Sequence, residues 1–237
     1  TVRQVFIEFP WVHAPAPREF YALFQKLGDF KKLSPGEAIN NGGTDGEVAF
    51  LLDGLCAFRT GDDHQSCHYI TLVTPGRLIG NVDGVTGTVV NITDIALRSS
   101  EALVISRHSF RKLLSQNPAL YDKLTESIIQ EHESDMEGMF SVMTDSLETR
   151  IIKLFGALIF RDAPRNLFHW TRALSQFQET PVPYALTVSE IARTVGASRT
   201  ATSLVLTEWE RKGLLRRNAQ ERIITAELLR QVTDWLA

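Results

Sequence analysis

Between about Phe30 and Ser106 the apolar runs are short, and turn residues punctuate them. "EVAFLLDGLCAF", "HYITLVT" and "EALVIS" are separated by "LSPGEA", "NNGGTDGE", "TGDDHQ" and "TPGR". This pattern predicts many short antiparallel strands closed into a jelly roll or β-roll, with Val48, Phe50 and Leu52 alternating onto one buried face. The preceding "PREFYALFQKLG" has the spacing of a short amphipathic helix ending at Gly28.

After Ser106 the period changes. Pro118 suits the first turn of a helix, and the run to about Met143 contains no further proline and a single glycine, Gly138. Leu120, Leu124 and Ile128, then Met136, Met139 and Met143, form one stripe along a helix of about 39 Å at ~1.5 Å per residue. Such a helix packs either within the core of its own domain or against a partner helix. The stripe is read as a homodimer seam through residues 118–143, with His132 and Asp135 fixing its register. "DSLETRIIKLFGALIFRD" predicts a further amphipathic helix, capped by Asp145 or Ser146, which makes residues 141–145 a joint.

In "LTVSEIARTVGASRTATSLVLTEWERKGLLRR" Thr187 and Glu190 have capping-box spacing, so a helix is expected from there to Val195, stopped by Gly196. Ser198 can cap a second helix, with Ala201, Val205 and Trp209 inward and Gly213 at its end. Two short helices about a glycine turn predict a helix-turn-helix, with Ser198, Arg199, Thr200 and Ser203 where base edges are read. "LLRRNAQERIIT" predicts a β-hairpin wing that carries Arg216, Arg217 and Arg222 toward phosphates.

Composition sharpens this reading. The 237 residues carry a formal charge of −3, so no whole-chain attraction to nucleic acid exists. From Thr187 to Arg217, however, six cationic residues face three anionic ones, a local net of +3. Cys56 and Cys67 are too few for a four-thiolate iron–sulfur cluster and suit a reducing cytoplasm. "IIKLFGALIF" is too short for a membrane span and is interrupted by Lys153, so no membrane partner is expected.

The order and spacing of these parts resemble the CRP/FNR family of bacterial transcription regulators along nearly the whole chain. "FKKLSPGEAI", "EVAFLLDGLCAF" and "HYITLVTPGRLIGN" resemble the family's β-roll, and "VGASRTATSLVLTEWERKGLLRR" its winged helix-turn-helix. The resemblance implies an α+β chain: an effector-binding antiparallel jelly-roll over residues 1–116, a dimerisation helix over 117–143 and a DNA-binding winged helix-turn-helix over 144–237. It also implies a homodimer on a pseudo-palindromic double-stranded DNA operator, in contact with RNA polymerase.

By this resemblance the effector cassette is "GRLIGNVDGVTGTVV", and the effector residues are Gly80, Asn81, Val82, Val90 and Asn91, joined by Asp135 and Met136 of the long helix. In cyclic-AMP-binding members a Glu and an Arg-Ser pair hold the ribose and the cyclic phosphate. Here Asn81, Val90 and Asn91 stand at those places, which disfavours cyclic AMP, because a buried phosphate would lack its cation. "RLIGNVDGVTG" is similar to members that bind chlorinated aromatic acids, so a small organic molecule is the expected effector. Haem held by Cys67-His68, His13 or His64 is the alternative within the family, and a cupin-like metal enzyme using His64 and His68 is the remote one. At the recognition helix the family's Arg-Glu-Thr-x-x-Arg is replaced by Arg199-Thr200-Ala201-Thr202-Ser203-Leu204, so a different operator is expected.

Overall fold

The computed structural model describes residues 8–40, 46–60, 68–87, 92–160, 179–217, 221–228 and 230–231. The chain divides into two compact units: His13–His132, and Glu133–Ala237 together with Thr1–Val12.

The first unit runs α1 (Arg18–Leu27), β1 (Asp29–Leu33), β2 (Ala38–Asn40), β3 (Glu47–Asp53), β4 (Cys56–Thr60), β5 (His68–Val73), β6 (Leu78–Ile79), α2 (Asn81–Thr86), β7 (Ile92–Ala96), β8 (Ser100–Ser106) and α3 (Arg107–Gln116), followed by the early turns of α4 (Pro118–Thr144). The strands form two antiparallel sheets, ordered β1-β8-β3-β6 and β2-β7-β4-β5. Leu33, Leu51, Ile79 and Val104 of the first sheet meet Ile39, Cys56, Val73 and Ala96 of the second in one core. The predicted roll is therefore present.

The alternation read for β3 is half of what burial does there. Val48 and Phe50 pack with Phe20 and Phe24 of α1, Phe110 and Leu114 of α3, and Leu120 and Leu124 of α4. Ala49 and Leu51 face the other sheet. Covered on both faces, the strand reads as a continuous apolar run.

The long helix forms over Pro118–Thr144, and Asn117 Oδ1 accepts from Leu120 N at 3.2 Å. The apolar stripe predicted along it divides. Leu120 and Leu124 are core residues of their own unit, so the seam cannot use them. Beyond them the buried side of the helix turns polar: Ser127, Glu131, Ser134, Glu137 and Ser141 are all buried. Tyr121, Ile129, Met139 and Met143 are exposed instead.

The second unit continues with α5 (Leu147–Phe160), β9 (Glu179–Val182), α6 (Val188–Thr194), α7 (Arg199–Arg211), β10 (Leu215–Arg217) and β11 (Arg222–Thr225). Of the two caps expected for α5, Ser146 serves, accepting from Thr149 N at 3.2 Å. Asp145 faces Lys153 instead. The wing is a three-stranded antiparallel sheet, β10-β11-β9, in which β9 pairs with β11. Ser134 of α4 donates to the Phe9 carbonyl at 2.6 Å, and Trp11 lies so close to Gly138 that a Cβ there would meet its Nε1 at 2.7 Å.

Candidate nucleic-acid interface and effector pocket

The helix pair is built by local hydrogen bonds that its sequence specifies. Glu190 N donates to Thr187 Oγ1 at 3.2 Å and Thr187 N to Glu190 Oε2 at 2.6 Å, closing the capping box of α6. The turn then needs a left-handed residue, supplied by Gly196 at φ +64°. Arg150 of α5 grips this turn, donating from Nη1 to the carbonyls of Val195 at 2.7 Å and Gly196 at 3.2 Å. Ser198 Oγ caps α7 by accepting from Ala201 N at 3.1 Å.

On α7 the inward residues are Thr202, Leu206 and Trp209, not the expected Ala201, Val205 and Trp209. Thr202 can be buried because its hydroxyl donates back to the Ser198 carbonyl at 3.0 Å. Arg199, Thr200 and Ser203 are exposed on the same helix with Leu204, which is 68% exposed. Leu204 stands where the family pattern has an arginine, and an exposed Leu beside Ser and Thr suits contact with a thymine methyl. Toward the helix end Arg211 donates twice to Glu208, at 2.8 and 2.7 Å. Those bonds, ahead of those from Lys212, pull the Glu208 carboxyl down to about 2.

In the wing Arg216 and Arg217 are exposed, and Arg216 is ion-paired with Glu179 of β9. Arg222 departs from expectation. It is buried and donates to the Leu186 carbonyl, and burial lowers its pKa. Its role is therefore to hold the wing to the segment before α6, not to meet phosphates.

In the roll the glycine-rich cassette forms an unpredicted short helix, α2, flanked by left-handed Gly80 and Gly87. Gly84 lets it lie against the first sheet, since a Cβ there would meet Val48 Cγ2 at 2.6 Å. Asn81 is buried and donates from Nδ2 to Glu131 Oε2 at 2.9 Å and Oε1 at 3.2 Å. The Ser127 hydroxyl donates to Glu131 Oε1 at 3.4 Å. Val82 turns to solvent, and Val90 and Asn91 lie outside the described residues. The α4 residue that Asn81 meets is thus Glu131; Asp135 and Met136 are half-buried and belong to the second unit.

Sequence reasoning also missed Asp94 of β7. Burial is the main cause that raises its pKa to about 7; His13 opposes the rise, while Asp83 and Glu131 add to it. Asp83 is raised as well, by burial against the opposing charge of Arg107. The available signal was an Asp inside the strand "ITDIA", where charge is out of place.

No family model and no curated protein matches the chain. Solved structures do. A CRP/FNR-family transcriptional regulator from Thermus thermophilus superposes at TM-score 0.61 with 17% identity, over 88% of this chain and 100% of that one. The c-di-GMP-responsive global regulator CLP of Xanthomonas campestris gives 0.67 with 16% identity, over 88% of this chain and 99% of that one. CprK complexed with OCPA gives 0.60 with 16% identity, over 92% and 97%. The fold is that of the CRP/FNR regulators.

Within this CRP/FNR fold the other candidate ligands fare as follows. His13 is buried and His68 exposed, while Cys67 and His64 lie outside the described residues. Burial pushes the Cys56 thiol up to about 12, so it is a structural apolar group. Among the described residues no group of three or more His, Cys, Asp or Glu is placed to hold a metal. No described helix is long and apolar enough to cross a membrane.

Proposed function

We propose that the protein is a homodimeric, effector-responsive DNA-binding transcription regulator acting in the cytoplasm, in which a small organic molecule in the roll controls operator binding. The observation that carries this is the capped α7 with Ser198, Arg199, Thr200 and Ser203 exposed, seated by Arg150 and flanked by Arg216 and Arg217. Arginine, serine and threonine at a helix N-terminus are the groups that read base edges, and the wing arginines suit phosphates. Exposed Tyr121, Ile129, Met139 and Met143 on α4 support a partner helix there, since large side chains left exposed along one side of a helix favour association. A two-fold pair of recognition helices calls for a pseudo-palindromic operator with half-sites about one helical turn apart, beside which RNA polymerase would be contacted.

The experiment is selection of binding sites from random duplex DNA, followed by titration at several salt concentrations. A palindromic consensus bound by a dimer is the expected result. Sequence-independent binding, or none, would overturn the reading.

A further inference from the structure

We propose that the roll binds a small organic cation, an amidinium, guanidinium or amine, with Asp94 as its anionic anchor. That this ligand is an effector rests on the regulatory reading above; its binding site does not.

The ladder register places the site. Asp94 of β7 is directly opposite Phe58 of β4, which is directly opposite Thr71 of β5. Directly opposed residues project from the same face of a sheet. Two positions along, Ala96, Cys56 and Val73 form the equivalent row, and all three belong to the core between the sheets. Asp94, Phe58 and Thr71 therefore line the inside of the roll, in a row spanning about 10 Å at ~4.8 Å per strand.

Two observations on this row point to a ligand. Thr71 is fully buried, yet its hydroxyl has no hydrogen-bond partner among the described residues. A buried polar group left so forfeits its hydration without compensation and calls for an explanation. Asp94 is also buried, and the two acids near it outnumber the one base: His13 favours its anion, while Asp83 and Glu131 both disfavour it. Glu131 is occupied by Asn81 and Ser127, and Arg107 opposes Asp83.

An anionic ligand would add charge to this group and is repelled. A metal ion is not favoured either, because no described cluster has ligand geometry. A planar organic cation fits. Its N–H groups can donate to the Asp94 carboxylate, its body can lie over the half-buried Phe58, and a polar end can reach the Thr71 hydroxyl.

The test uses the full chain and two pairs of probes matched in shape and opposite in charge, benzamidine with benzoate and acetamidine with acetate, in titration calorimetry at pH 8 and low salt. At least one amidine is expected to bind once per chain, and neither carboxylate. Asp94→Asn should weaken that binding by about tenfold or more, as loss of a charge-assisted contact does. Thr71→Val keeps the side-chain shape, so it guards against a folding artefact, and should weaken binding without lowering thermal stability. Carboxylates binding in place of amidines, neither amidine binding, or both variants binding like the native protein would each overturn the proposal. Operator selection on the same preparations separates the two readings. Selective DNA binding without amidine binding sinks this inference alone; amidine binding without selective DNA binding sinks the regulator alone.

Discussion

Lys153 Nζ lies 2.7 Å from Asp145 Oδ2, with both side chains almost sealed from water at 4% and 6% exposure. Glu137 Oε1 is 3.6 Å from the same Nζ, and Ser141 donates to Asp145 at 2.6 Å. One buried cation from α5 thus ties two carboxylates, one on α4 and one at its end, across the joint read from the sequence. Lys153→Met leaves both acids buried without that cation. The expected cost is about 3–5 kcal/mol in urea unfolding. Adding Glu137→Gln and Asp145→Asn to that variant should recover most of the loss. If Lys153→Met alone is neutral, the cluster is not the clamp described.

Arg199 and Arg150 should separate recognition from support. Arg199→Ala is expected to cost roughly 1–3 kcal/mol on the selected operator and to relax one base position. Arg150→Ala removes two hydrogen bonds from the turn, so it should lower stability by about 1–2 kcal/mol and weaken every sequence alike. Binding-site selection with each variant checks this. An unchanged consensus for Arg199→Ala would mean that α7 enters DNA in another orientation.

Glu179 holds Arg216 within the wing. Releasing it by Glu179→Gln should raise affinity for all duplexes and steepen the salt dependence. Arg216→Ala should do the reverse, reducing the salt slope by about one. Arg222→Ala is expected to leave the slope unchanged and to lower stability, because its guanidinium serves the Leu186 carbonyl. Anisotropy titrations from low to moderate salt distinguish these outcomes.

What could be read from the sequence follows from how local each feature is. The Thr187–Glu190 box and the Ser198 cap are set by bonds spanning three residues, and Gly196 by its own left-handed backbone, so their spacing announces them. The faces of α4 are not legible in the same way, because periodicity places residues on a common side without saying which side is covered. Leu120 and Leu124 go to the roll core, Ser127 and Glu131 follow them inward, and Ile129 and Met143 are left outside. Arg222 departs from its expected place at phosphates because a wing arginine 36 residues from its carbonyl partner carries no local mark of burial. The Asp94–Phe58–Thr71 row joins three strands, so only the register reveals it.

Gly138 is a glycine inside a long helix, and its reason is Trp11. Gly138→Ala would place Cβ 2.7 Å from the indole Nε1 and 2.8 Å from Cδ1. Alanine is the better helix former by about 1 kcal/mol, so an unencumbered site would gain stability. The expected sign is opposite: a loss of about 1–3 kcal/mol from overpacking a buried indole, relieved in the double variant with Trp11→Ala. Thermal melts of the four proteins in that cycle check it.

The pH dependence of stability should carry the mark of Asp94. Its carboxyl titrates near 7 in the folded chain against an ordinary 3.8. Between those values the unfolded chain has released a proton that the folded chain retains, so stability falls as pH rises from about 4 to about 7. The full effect is at most about 4 kcal/mol. Asp83, Glu131 and His13 face the group and remain in place in Asp94→Asn, so the native-minus-variant difference isolates it. In urea unfolding that difference should shrink steadily from pH 4 to pH 8, the variant gaining on the native protein as the medium becomes more alkaline. Parallel curves for the two proteins across this range would show that Asp94 is charged in both states and that its burial is compensated elsewhere.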